Sequence, residues 1–145
     1  MQAVFADAEK PTSARTPRSR ARLGFAISAA PVAFLIFYIA IKLVKIQPVV
    51  ESFERLGYSP EVARGIGTLE AACLLLYLVP RTAALGAVVL TGFLGGAIAT
   101  HVRVCDPLFS HVLCPVYVAA LLWIGLGLRD GRLGQFLPFP GARGR

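Results

Sequence analysis

Glu70 stands nine residues into Glu61–Val79, EVARGIGTLEAACLLLYLV, and no other charge lies between Arg64 and Arg81. A carboxyl group in a run this apolar costs several kcal/mol to hold in hydrocarbon, which marks it by default as a functional position. Its chemistry would be proton handling, with partners of matching type elsewhere in the chain. The two histidines, His101 and His111, offer imidazoles to hydrogen-bond carbonyl oxygens, and Arg64 and Arg103 offer guanidinium groups to stabilise anionic oxygen. Thr68, Thr100, Asp106 and Ser110 add short polar side chains nearby in sequence.

Helical angles put Gly67, Glu70, Cys73, Leu74 and Tyr77 on one face, with Arg64 and Thr68 about a third of a turn away. Glu70 is therefore expected to pair across helices with His101, His111 or Arg103, or to stay protonated. The competing reading is a bonded polar cluster that only fixes helix register. A metal site is not expected. HxxxC (His101, Cys105) and HxxC (His111, Cys114) have suitable ligand types, but Asp106-Pro107 breaks the chain between them and Cys114 is explained as a small apolar residue. Cys73 and Cys105 lack the CxxC spacing of a dithiol redox motif, and no phosphate-cradling or dinucleotide-binding glycine loop is present.

These residues need a scaffold, and the composition defines it. The 145 residues are 56% hydrophobic and only 16% charged, too apolar for an ordinary soluble domain. Four apolar segments, Leu23 to Val44, Glu61 to Val79, Ala83 to Thr100 and Pro107 to Leu128, each approach the ~20 residues that cross a bilayer core. The first is too long for a signal peptide's apolar region. Pro31 and Pro115 predict kinks, Gln47 to Leu56 reads as a short interfacial helix ended by Gly57, and Ser59-Pro60-Glu61 is a helix start signal. Gly92 and Gly96, in GxxxG spacing, predict a stripe for helix packing or for assembly with a second copy.

The net charge of +7 raises nucleic-acid binding, but its distribution points to membrane topology instead. Ten cations, Lys10, Arg15, Arg18, Arg20, Arg22, Arg81, Arg129, Arg132, Arg143 and Arg145, fall toward one face of a four-span arrangement. Five, Lys42, Lys45, Arg55, Arg64 and Arg103, fall toward the other. Both termini are then cytoplasmic. Residues 1–22 form a disordered basic tail, 23–130 the membrane domain and 131–145 a short basic tail. With that topology, Arg64, Thr68, Glu70, Thr100, His101, Arg103, Asp106, Ser110 and His111 share one end. They predict an outward-opening polar funnel with Glu70, roughly 13 Å below Glu61, as its floor.

The blocks ARGIGTLE (Ala63 to Glu70), PRTAALGA (Pro80 to Ala87), GGAIATHVR (Gly95 to Arg103) and DPLFSH (Asp106 to His111) resemble the DoxX-like family of small bacterial four-helix membrane proteins. The resemblance runs from about Gly24 to Asp130 and departs from the family pattern at Cys105 and Cys114. It implies an all-α, polytopic four-helix transmembrane bundle in the cytoplasmic membrane, and a link to quinone-dependent oxidoreductases through some relatives. The expected partners are lipid, a quinone and a redox partner protein, with no nucleic acid. Glu70, His101 and His111 are the expected catalytic residues, and Arg64, Thr68, Thr100, Arg103 and Asp106 the expected substrate contacts. A non-enzymatic scaffold is the rival reading, and a small solute carrier a third, disfavoured by the lack of an inverted repeat.

Overall fold

The computed structural model describes residues 18–130 and Leu133; most of the predicted tails, residues 1–17, 131–132 and 134–145, lie outside the described residues. The described residues are helical with no strand. They form α1 (Arg18–Val44), α2 (Gln47–Arg55), α3 (Val62–Leu78), α4 (Ala83–Arg103), a π-helical turn (Leu108–Val112) and α5 (Cys114–Arg129). Three stretches, Arg18–Val44, Ala83–Arg103 and Leu108–Arg129, are long and apolar enough to cross a membrane. The 17 residues of α3 span roughly 26 Å at 1.5 Å per residue, slightly short of a bilayer core.

Neighbouring long helices run antiparallel. The α1 helix packs on α3 and α5, and α4 packs on the same two. The core between them is aliphatic, built on Leu35, Leu74, Leu90, Leu122 and Leu126, while Phe25, Phe37, Leu75, Leu85 and Val88 point outward, as expected of residues facing hydrocarbon. One polar clasp crosses this core. The Tyr77 hydroxyl donates to the Leu122 carbonyl (2.9 Å) and accepts from Ser28 Oγ (2.9 Å). Beside it the Arg129 guanidinium lies over the Tyr77 ring at 4.7 Å.

Glycines bring α1 and α5 into close contact. A Cβ built on Gly125 would stand 2.0 Å from Ser28 Oγ, and one on Gly24 would stand 2.6 Å from the Gly125 carbonyl. Gly86 plays the same part between α4 and α3, where a Cβ would meet the Tyr77 backbone nitrogen at 2.2 Å. The predicted seam at Gly92 and Gly96 differs. Nothing lies within 4 Å of a Cβ at either position, so these glycines face open space within the chain. Spacing says that small residues share a face, not what that face meets.

Pro31 sits buried within an unbroken α1. Pro115, by contrast, lies in the first turn of α5, where its missing N–H is tolerated, so the last apolar segment divides into the π-helical turn and a new helix. The α3 helix begins at Val62, after a turn in which the Glu61 N–H reaches Ser59 Oγ at 3.4 Å. The short α2 buries Val49 and Phe53 against Ala63 of α3, with Ile41 and Ile66 packed alongside.

Candidate functional site

Two helix endings shape the site. At the end of α2, Gly57 has φ +75° and donates to Glu54 O, while Tyr58 donates to Phe53 O. This is the Schellman pattern, and the Phe53 and Tyr58 rings meet at 6.2 Å as its apolar contact. The end of α4 repeats it: Cys105 N–H bonds Val102 O and Asp106 N–H bonds His101 O. Here the left-handed position is held by Cys105 (φ 54°), where glycine is the usual occupant. The reversal folds Asp106 back onto the helix it follows, and His101 Nδ1 lies 2.6 Å from Asp106 Oδ2. Arg55, arriving from α2, bonds the other carboxylate oxygen. These two partners, His101 first, hold the Asp106 carboxyl below the ordinary carboxylate range.

Glu70 is 2% exposed, on the face of α3 that also buries Ala63, Gly67, Cys73, Leu74 and Tyr77. Its partner is Lys42 of α1, with Nζ 2.6 Å from Oε2. This replaces the expected pairing with His101, His111 or Arg103. Gly67 eases the pairing: a Cβ there would already be 3.0 Å from Lys42 Cβ, so glycine gives α1 room to approach one turn from Glu70. The ammonium also sits near two aromatic faces, 5.8 Å from the Tyr38 ring and 5.6 Å from Phe93.

Glu70, Lys42, His101 and His111 all line one cavity of about 510 Å³. Its walls are mainly apolar, with Phe34, Leu35 and Tyr38 from α1, Phe93 and Leu94 from α4, and Pro115 and Val118 from α5. Gly92 and Gly96 form part of the wall, which accounts for their open surroundings. At the histidine end the His101 and His111 rings meet edge to face at 5.5 Å. His111 Nδ1 lies 2.8 Å from Ser110 Oγ. Thr100 Oγ1 donates to Gly96 O at 3.0 Å and lies 3.2 Å from the Tyr58 hydroxyl.

The cavity thus gathers Glu70, His101, His111 and Thr100 of the expected site residues, with Asp106 bound to His101 behind them. Arg64, Thr68 and Arg103 are not among its lining. Arg64 Nε donates to Leu43 O, Thr68 Oγ1 donates to Arg64 O, and Arg103 bonds Leu56 O while stacking on Tyr58. Sequence reasoning missed Lys42, Arg55, Tyr38 and Tyr58. Lys42 carried a usable signal, a cation at the end of an apolar helix on the side assigned to Glu70's neighbours. The described residues hold no group of three or more His, Cys, Asp or Glu able to bind a metal, and Cys73, Cys105 and Cys114 are free thiols.

Fold and site together define a helical membrane protein with a ligand-sized, partly open cavity. Its sequence matches the profile of the DoxX-like family over residues 26–125, and the chain belongs to that family. No curated protein and no solved structure gives a significant match.

Proposed function

We propose that this is a multi-pass four-helix bundle of the bacterial cytoplasmic membrane, both termini inside, whose cavity binds the head group of a quinone or similar isoprenoid. It serves as a membrane subunit or accessory of a redox system, and a partner protein supplies the electrons. One observation carries the reading: a single largely apolar cavity of about 510 Å³, within the usual range for small-ligand sites, has polar groups at two levels. Glu70 and Lys42 stand at one level, His101 and His111 at the other. A flat ring with oxygens on opposite sides matches that pattern, with the aromatic residues against its faces. Lys42 is the cation that faces a ligand oxygen, the role expected of Arg64 and Arg103, and Glu70 handles protons beside it. The histidine end faces the outer side.

A second reading, a scaffold whose polar groups only fix helix register, is favoured by the fact that Glu70 and Asp106 already have partners. Native mass spectrometry with lipid extraction, on detergent-purified wild type and Glu70→Gln, separates the two. The quinone reading expects co-purifying quinone in the wild type and its loss in the variant. Absence from both, with the variant merely less stable, supports the scaffold.

A further inference from the structure

The hydrogen-bond polarity at the histidine end selects between the two forms such a head group can take. The Asp106 side chain is 4% exposed, and both its oxygens are engaged, one by Arg55 and one by His101. A carboxylate held in this way can only accept, so the His101 Nδ1 facing it carries a proton. In the neutral ring the other nitrogen, Nε2, is then an acceptor. Nε2 has no hydrogen-bond partner among the described residues, and His101 lines the cavity. A ligand carbonyl presented to Nε2 sets acceptor against acceptor, whereas a ligand hydroxyl completes the bond. The ring is fixed in place by the left-handed turn at Cys105, the Asp106 bond and the His111 ring at its edge.

We propose that Asp106 is a positioning residue that holds His101 as a hydrogen-bond acceptor, so that the cavity prefers the hydroxyl-bearing, dihydroxy form of its lipophilic aromatic ligand over the dicarbonyl form. This inference rests on the quinone-type reading above. Arg55 is turned to Asp106, and His111 meets Ser110 through Nδ1 with neither direction imposed, so His101 is the ring whose polarity the structure fixes.

The test is anaerobic calorimetry of the full chain in detergent with menadiol and menadione, at a pH near 8 where an ordinary imidazole is neutral. The wild type should bind menadiol about tenfold more tightly, the equivalent of one well-made hydrogen bond. Asp106→Asn can donate to His101 Nδ1 and so move the ring proton to Nε2, and its preference should invert toward menadione. An unchanged preference in a folded Asp106→Asn protein overturns the proposal. The chain has only 2 histidines, so nitrogen NMR of labelled wild type, with His111→Gln for assignment, reads the tautomer directly even where Asp106→Asn does not fold. A proton on Nδ1 and none on Nε2 is the expected spectrum, and a protonated Nε2 overturns the proposal. Binding of neither compound with the expected tautomer intact defeats the quinone-type reading instead.

Discussion

Removing Lys42 alone should be far more damaging than removing Lys42 and Glu70 together. The Glu70 side chain is 3% exposed and its cation lies 2.6 Å away, whereas the Lys42 side chain keeps 16% of its surface. In Lys42→Met the carboxylate stays buried without its cation, which costs about 3–5 kcal/mol. In Glu70→Leu the ammonium can move its long stem toward the open side of the cavity, and the loss is about 1–3 kcal/mol. The double variant Lys42→Met/Glu70→Leu carries no buried charge and should unfold within about 1 kcal/mol of the wild type. Reversible unfolding in mixed detergent micelles, followed by circular dichroism, gives the four stabilities of the cycle, and the expected coupling exceeds about 2 kcal/mol. Additive losses, with the double variant as weak as the sum of its parents, would refute the claim that the two groups compensate each other. The double variant also tests function, because it is expected to be folded yet lacks both polar groups at that level. Quinone retained in it would remove Glu70 and Lys42 from the site.

The same substitution should have opposite signs at two glycines. Gly125→Ala forces a Cβ to within 2.0 Å of Ser28 Oγ and should lower stability by about 1–3 kcal/mol, while Gly96→Ala enters open space and should raise it by about 0.5–1 kcal/mol in the same titration. Cys105→Gly relieves a left-handed non-glycine residue at φ 54° and should stabilise by about 1 kcal/mol; a loss would mean that the thiol contributes a contact of its own. Because the Asp106 carboxyl titrates lower when folded than when unfolded, its contribution is fully present above the ordinary carboxylate range and fades as the pH falls through its depressed value. The stability difference between wild type and Asp106→Asn should therefore shrink as the pH falls below the ordinary carboxylate range, as thermal unfolding across an acid series would record.

The buried face of α3 was legible because period and composition are local properties: Gly67, Glu70, Cys73, Leu74 and Tyr77 share a face by angle, and all five are buried. The gathering of His101, His111 and Thr100 at the cavity followed from chain direction alone. Glu70's partner did not, because the choice of Lys42 depends on how closely α1 and α3 approach, and Gly67 sets that distance between residues far apart in sequence. Asp106 was read as a breaker between α4 and the next segment and as a substrate contact. Its bond to His101 requires a left-handed residue at position 105, and a cysteine there gives no warning of one. The glycine stripe was legible as a stripe but not as a cavity wall, since the identity of a facing surface is a tertiary property.

Several features unfavourable to helix stability lie at or beside this cavity, although open Gly65 and Gly95 and left-handed Lys45 lie outside its lining. Gly92 and Gly96 each weaken α4 by about 0.5–1 kcal/mol relative to alanine, and no close helix contact within the chain compensates for them. An ion pair is kept out of water at one level of the cavity, although apolar residues of similar volume would hold α1 to α3 as well or better. At the other level a cysteine adopts a conformation suited to glycine, which turns Asp106 back onto His101. A bundle selected only for stability would place alanine, leucine and glycine at these positions. Departures from local preference gathered beside one space fit a cavity maintained for an occupant, because real sequences break such rules at functional sites. The scaffold reading explains the ion pair as a register device and the two open glycines as a surface for assembly with a second copy. The Gly96→Ala variant therefore bears on function as well as stability: a more stable protein that holds less ligand would show that the space is used.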